Sequence, residues 1–465
     1  MAGLYDKLEK YSQSDYYGFH MPGHKRNTRY FGKKIPYGID ITEIEGFDDL
    51  HHADGIIKEG EERAARLYKA EETHFLVNGS TVGILSAILG VTSRGDKILV
   101  ARNCHKSVYH AMELHGLHPV YVYPEYEKSL QINGEIFSER IEKILEEQPD
   151  IKAVMIVSPT YDGVVSDVSK IAEIVHKRKI PLIVDEAHGA HFGFHPYFPE
   201  NSSAKGADIV IHSVHKTLPS LTQTALIHIN GEIVDRENVR RYLHMLQSSS
   251  PSYILMASID RCMEFLEKEG KEFFDLYVER IEKLRRKLKS LQRLEVLETK
   301  HFDYSKFIIS VRNVDITSRQ LYNLLLEKYH LQMEMKAGTY VLAMTTVGDT
   351  KEGLDRLEHA LLEIDQNCGY KKKEIPSELP HLPLACNSEE INRLKRGNEE
   401  SVPWEEAVGK ISTEYAYVYP PGIPLIVPGE IITQEAVNVL QLYAELGFSV
   451  EGTKVENYIG VLKNG

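Results

Sequence analysis

Apolar and polar positions along this chain alternate in two different periods. Short, nearly unbroken apolar runs recur at "THFLV", "DKILVA", "IKAVMIV", "IPLIVD" and "ADIVIH". Between them lie stretches such as "TVGILSAILGV", "VYHAMELHG", "SERIEKILEEQ" and "DVSKIAEIVHKRK", which read as helices. A short continuous apolar run suits a strand covered on both faces, and the longer period suits a helix laid against it. Strand-then-helix alternation predicts a mostly parallel sheet with helices on both sides. The fold class is therefore α/β.

The same pattern divides the rest of the chain. Residues 1–50 are rich in Gly, Tyr and His, weakly periodic, and read as an N-terminal arm. "EGEERAARLYKAE" (Glu59–Glu71) opens a large domain over 51–295 with an amphipathic helix, and a long helical stretch from Asp235 to about Gln292 leaves the sheet. "KFIISVRN" and "TYVLAMTTVG" flank the helix "SRQLYNLLLEKYH", predicting a smaller α/β domain over 296–375. A connector, "DQNCGYKKKEIPSELPHLP", leads to a last region over 376–465 that contains "YPPGIPLIVPGE". There is no internal repeat.

Composition narrows the function classes. A net charge of −13 argues against a nucleic-acid binder, which would carry a basic face. Cys104, Cys262, Cys368 and Cys386 are too scattered for a disulfide framework or a paired zinc motif, which suits a reducing cytoplasm. No run approaches the ~20 apolar residues of a membrane helix, and the N-terminus shows no signal-peptide core. A cytoplasmic protein without membrane or nucleic-acid partners is expected.

The chemistry concentrates at strand ends. Lys216, in "IHSVHKTLPS", follows a buried-strand pattern and precedes a Pro that stops regular structure. It is thereby presented where open α/β sheets bind ligands. "VNGSTVGI" closes a strand and opens a helix, so the N–H groups there, with Ser80 and Thr81, form either an anion site or an ordinary N-cap. "LIVDEAHGAH" puts Asp185 at another strand end, where four readings compete. "DEAH" spells a helicase motif, but the chain has no GK[ST]. Asp185, His188 and His191 could hold a metal, although no HExxH or Cys/His pairing supports it. Asp185 could cap a turn, or pair with the ring nitrogen of a cofactor. A phosphate cradle at one strand end, an Asp at another and a Lys at the end of the next strand are together what pyridoxal phosphate (PLP) requires. His105, in "RNCHKSVYHA", sits at a further strand end, where an imidazole could stack on the pyridine face.

At this level of detail the chain resembles the Orn/Lys/Arg decarboxylases of PLP fold type I (aspartate-aminotransferase-like), in a short form without an N-terminal wing domain. The resemblance rests on "FHMPGHKR", "DDLHHADGIIKEGEERAARLY", "VNGSTVGI", "RNCHKSVYHA", "DEAHGAHFGFH", "HSVHKTLPSLTQTA", "LQSSSPSYILMASID" and "YPPGIPLIVPGE". It implies Lys216 as the Schiff-base lysine, Asp185 as the pyridinium partner and His105 as the stacking residue, with His188 beside cofactor and substrate. Ser80, Thr81, Ser213 and His215 would contact the phosphate, and Gly79 and Ala187 would complete the cofactor site. The Ser248, Ser249 and Ser250 turn would reach the phosphate of a neighbouring subunit, implying a homodimer with shared active sites. Glu430 would receive the distal cation of the substrate, with Asp48 or Asp49 of the arm as fallback.

The resemblance further implies decarboxylation of a basic L-amino acid through a quinonoid, with arginine favoured over lysine and lysine over ornithine. Fold alone does not choose the reaction. An aminotransferase would place an Arg on the substrate carboxylate, and Arg312 and Arg319 are available in the small domain. A lyase of another kind and a silent PLP-binding regulator are equally compatible with the fold.

Overall fold

The computed structural model describes residues 15–19, 41–44, 46–127, 130–370, 398–419, 423–445 and 449–463. Its centre is a seven-stranded sheet. The strands lie in the order Glu72–Leu76, Ala225–Ile229, Ile209–His212, Leu182–Asp185, Ile151–Val157, Lys97–Ala101, His118–Val122. Only Ala225–Ile229 runs against its neighbours, pairing antiparallel with both. The remaining pairings are parallel, as the continuous apolar runs predict.

Helix Gly79–Val91 shows why those runs are apolar. Val82, Ile84, Ala87 and Ile88 are all buried against the sheet, each large side chain contributing roughly 1.5–3 kcal/mol. A Cβ on Gly83 would stand 2.7 Å from Leu76 Cδ1 and 3.2 Å from Ile211 Cγ2, so only glycine lets the helix lie this close.

The expected long helical stretch is three helices, Arg236–Leu246, Tyr253–Lys268 and Gly270–Leu288. The break falls at Ser248–Pro251, and Ser252 caps the second helix by accepting from the Leu255 N–H. The first helix does not leave the sheet. It packs on Gly79–Val91, where Asn238 Nδ2 donates to the Gly90 carbonyl at 2.7 Å. The other two carry the chain to a four-stranded antiparallel sheet in the order Glu295–Leu297, Lys306–Ser310, Tyr340–Met344, Met335–Lys336. One buried cluster, including Tyr68, Ile259, Phe274, Phe307 and Val341, runs through this junction.

Of the arm, Tyr17–Phe19 pairs in parallel with Leu331–Met333. The rest of "FHMPGHKR" after Phe19, and Cys386, lie outside the described residues. Two small antiparallel sheets follow: Glu399–Pro403 with Tyr458–Leu462, and Ile423–Ile426 with Ala416–Tyr419 and Ser449–Glu451. Helix Gln434–Glu445 contributes Ala436, Val437 and Leu440 to their shared core. No helix among the described residues is long and apolar enough to cross a membrane.

Candidate active site

Six of the seven strands share one direction, so the segments leaving five of them meet at a single sheet edge. There they enclose a cavity of about 290 Å³. Gly79, Ser80 and Thr81 leave the first strand, Asn103 and His105 another, and Thr160, Tyr161 and Asp162 a third. Asp185, Ala187 and His188 follow a fourth, and His215 and Lys216 a fifth. This is the crevice at the carboxyl ends of an open α/β sheet.

Each wall has a local cause. Gly79 has φ +74, a left-handed conformation that turns the chain from strand into helix, and Ser80 and Thr81 then occupy the first helical turn. Ser80 Oγ lies 2.8 Å from Ser213 Oγ, which ties the helix start to the segment before Lys216. Ser213 itself is buried and does not line the cavity. His105 caps helix Lys106–His115, its Nδ1 accepting the Ser107 N–H at 3.3 Å, so its proton resides on Nε2. Burial, with Lys216 and Lys106 nearby, lowers the His105 pKa to about 3 and keeps the ring neutral.

Asp185 ends its strand between Val157 and Ile211 and accepts the Ala187 N–H at 3.1 Å. Burial raises its pKa, and Lys216 opposes that shift. Lys216 sits in the short helix Val214–Thr217, with Nζ 2.9 Å from His188 Nε2. Burial lowers the lysine pKa against the pull of Asp185. Burial and Lys216 also hold His188 well below its ordinary value, which keeps its ring neutral beside the amine.

Not every expected residue joins them. Ser248, Ser249 and Ser250 are exposed and outside the cavity lining, although the Ser248 N–H reaches Asn78 Oδ1 at 3.2 Å. Glu430 also lies outside the lining. It is buried, with Oε2 3.5 Å from Arg102 Nη2 and 3.0 Å from the Val427 N–H it accepts. Asp48 has φ 67 and accepts backbone N–H groups of Asp49, Asp54, Gly55, Ile57 and Lys58. It therefore caps helix Ile56–Tyr68, and Asp49 caps the turn Leu50–His52, so neither is a fallback for substrate recognition. Arg312 and Arg319 do not line the cavity, and Arg319 is exposed. His191 is engaged with Asp303 at 3.0 Å, away from Asp185. Among the described residues no group of three or more His, Cys, Asp or Glu is placed to hold a metal ion.

The cavity adds Asn103, Asn133, Thr160, Tyr161, Asp162 and Ile423, which sequence patterning did not single out. "SPTYDG" follows the apolar run "IKAVMIV" as "DEAH" follows "IPLIV", so the strand-end signal that selected Asp185 applied equally to Thr160–Asp162. Asn133 and Ile423 reach the cavity from strands distant along the chain, Ile132–Asn133 and Ile423–Ile426, and had no such signal.

Comparison with known proteins fits this geometry. Residues 2–354 match the family "Orn/Lys/Arg decarboxylase, major domain", and residues 372–452 match "Orn/Lys/Arg decarboxylase, C-terminal domain". The arginine decarboxylase of Bacillus subtilis is 34% identical over 468 residues, 97% of this chain and 95% of that protein. The arginine decarboxylase of Bacillus anthracis is 34% identical over 97% of this chain and 94% of its own length. Among solved structures, the lysine decarboxylase of Francisella novicida superposes with a TM-score of 0.77 at 20% identity, covering 98% of this chain and 83% of that one. An alanine–glyoxylate aminotransferase from Nostoc superposes at 0.56 with 14% identity, over 66% of this chain and 86% of that one, and the shared fold is PLP fold type I. A chain matched along both its major and its C-terminal regions by one family, with relatives of its own length, is a decarboxylase belonging to the Orn/Lys/Arg decarboxylase family.

Proposed function

We propose that this enzyme binds PLP in the strand-end cavity and removes the α-carboxylate of a basic L-amino acid as CO₂, arginine ahead of lysine and lysine ahead of ornithine. The observation that carries the reading is the convergence of Lys216, Asp185, His105 and the Gly79–Thr81 helix start on one cavity. The residues fit the cofactor. Asp185 is a buried carboxylate accepting one backbone N–H, so a protonated ring nitrogen would supply the cation it faces. The buried Asn103 Oδ1 lacks a hydrogen-bond partner. Bound there, PLP supplies an electron sink for the electrons of the broken Cα–carboxylate bond.

The chain's own residues do the rest. Ser80 and Thr81, the N–H groups of the helix start, and His215 would hold the phosphate, with buried Ser213 positioning the Ser80 hydroxyl from behind. Asp185 keeps a proton on the ring nitrogen, because an opposite charge in hydrogen-bond reach favours the cationic form. Neutral His105, which lines the same cavity, would stack against the ring without adding a competing charge. Lys216 is a nucleophilic amine because burial favours its uncharged form. Lys216 Nζ and His188 Nε2, 2.9 Å apart, can pass a proton toward the carbon that loses its carboxylate. No arginine lines the cavity among the described residues, so the substrate carboxylate is not clamped as in an aminotransferase. The intact Lys216, Asp185 and His105 set favours an enzyme over a silent regulator.

Arginine leads because the Bacillus arginine decarboxylases are 34% identical, against 25% for the inducible lysine decarboxylase of Escherichia coli. The exposed Ser248–Ser250 turn beside Asn78 suits a contact across a homodimer, where it would approach a neighbour's cavity. The test is incubation with PLP and each of arginine, lysine and ornithine, following CO₂ and identifying the amine by mass. Ketone products without CO₂ would favour an aminotransferase.

A further inference from the structure

Next to Asp185, but outside the cavity lining, buried polar side chains form one unbroken hydrogen-bonded chain. Ser202 donates its N–H to Glu186 Oε1 at 3.1 Å and its hydroxyl to Glu186 Oε2. Glu186 Oε1 lies 2.7 Å from His212 Nε2, and His212 Nδ1 lies 2.9 Å from His228 Nε2. His228 Nδ1 then lies 2.7 Å from Thr73 Oγ1. Glu186 follows strand Leu182–Asp185, His212 ends Ile209–His212, and His228 and Thr73 belong to the next two strands across the sheet. The chain thus ties together the strand ends that carry Asp185 and Lys216. We infer that Glu186 is a positioning residue for the reaction, one that sets through Asp185 how firmly the ring nitrogen of the cofactor keeps its proton. The inference rests on the PLP-dependent decarboxylase reading above.

Two proton placements leave every ring nitrogen of the chain bonded. With Glu186 ionised, His212 Nε2 donates to it, His228 Nε2 donates to His212 Nδ1, and the Thr73 hydroxyl donates to His228. With Glu186 protonated on Oε1, each of these bonds reverses and both histidines exchange tautomers. Neither placement charges a histidine, since burial lowers the His212 pKa to about 3 and holds His228 well below its ordinary value. From helix Ile56–Tyr68, the Tyr68 ring lies 4.6 Å from that of His212, but its buried hydroxyl donates to the Ala190 carbonyl and stays neutral. Charge in the chain therefore comes and goes at Glu186. Burial pushes its pKa up to about 7, against the hydrogen bonds from Ser202 and the charges of Lys205 and His191. Burial also raises the Asp185 pKa, Lys216 opposes that rise, and a charged Glu186 adds to it. Asp185 lines the cavity and Glu186 does not, so a charge on Glu186 acts on Asp185 more than on a ring bound in the cavity. An ionised Glu186 makes Asp185 the stronger base and draws the shared proton off the ring nitrogen. A neutral Glu186 leaves that proton on the ring, where it strengthens the electron sink.

The test is the pH profile of the PLP-loaded enzyme with arginine. In the wild type, kcat should fall about threefold or more as pH rises through 7, with KM little changed. The absorbance of bound PLP should shift with the same midpoint. Glu186→Gln, neutral at every pH, should lose both changes. Ser202→Ala removes a hydrogen bond that favours the ionised carboxylate, so its midpoint should rise by about half a pH unit or more. A wild-type profile flat through neutral pH, or a fall of the same size and midpoint in Glu186→Gln, overturns the assignment. If Glu186→Gln does not fold, Ser202→Ala decides, and a midpoint that stays or moves down overturns it. A wild-type enzyme that decarboxylates none of the three basic amino acids overturns the parent reading instead, and the absorbance titration then decides Glu186 alone.

Discussion

Glu430→Gln separates a structural from a recognition role for the C-terminal motif. Arg102 is fully buried and donates to the Tyr109 hydroxyl at 2.9 Å, the Pro424 carbonyl at 2.6 Å and the Leu425 carbonyl at 3.1 Å. Its guanidinium also lies 5.4 and 5.2 Å from the ring centres of Tyr109 and Tyr121. This one side chain ties the strand-end segment carrying Asn103 and His105 to the C-terminal strand Ile423–Ile426. Its charge partner is Glu430, 3.5 Å away. Burial raises the Glu430 pKa, against the opposing pull of the Arg102 guanidinium. Removing one member of a buried pair costs about 3–5 kcal/mol, mostly from the charge left behind. Gln retains an acceptor for Arg102 and for the Val427 N–H, so the lower end, about 3 kcal/mol, is expected. At roughly 2–4 °C per kcal/mol for units of this size, the apparent Tm should fall by about 6–12 °C. The assay is a thermal melt of the PLP-loaded variant followed by circular dichroism, with KM for arginine measured in parallel. KM should change less than about threefold. An unaltered Tm with a tenfold higher KM would refute the reasoning and return Glu430 to the substrate.

Other outcomes follow from the same geometry. Lys216→Ala should lose turnover while retaining PLP through the phosphate site, and borohydride reduction of the wild type should label Lys216; labelling of another lysine contradicts the site. Asp185→Asn should bind PLP yet turn over at least tenfold more slowly, since one unit of pKa on the ring nitrogen is tenfold in its protonated fraction away from saturation; near-normal kcat would remove Asp185 from the role. His74 gives a pH signature. Burial works against its charge, but Glu61 at 3.5 Å and Glu72 at 2.6 Å outweigh it and raise the pKa to about 9. A raised folded pKa means this stabilisation is fully present below about pH 6.5 and is lost as pH rises through 9. Denaturant midpoints should therefore fall across that window in the wild type and fall less in His74→Gln; parallel slopes would contradict it.

Much of this protein was determined by local patterning. Strands covered on both faces must be apolar throughout, so their runs and the intervening helices mark the parallel sheet directly. The side chains just past those runs, Gly79–Thr81, His105, Asp185 and Lys216, share one sheet edge because parallel strands end on the same side. Their order along the chain therefore carried most of the cavity. Where the chain doubles back was less legible: Ser248–Pro251 interrupts a helical pattern that periodicity alone would carry onward. What only tertiary structure decided was the pairing of charges. Glu430 and Arg102 are 328 positions apart, and nothing local shows that burying the arginine engages that carboxylate. Asp48 likewise became a helix cap only because the chain turns through φ 67 there and aims five backbone N–H groups at it. Asp162 lines the cavity and accepts from the Tyr340 hydroxyl of a different sheet. Local sequence sets which segments are buried, but a charge takes its role from the partner that folding brings to it.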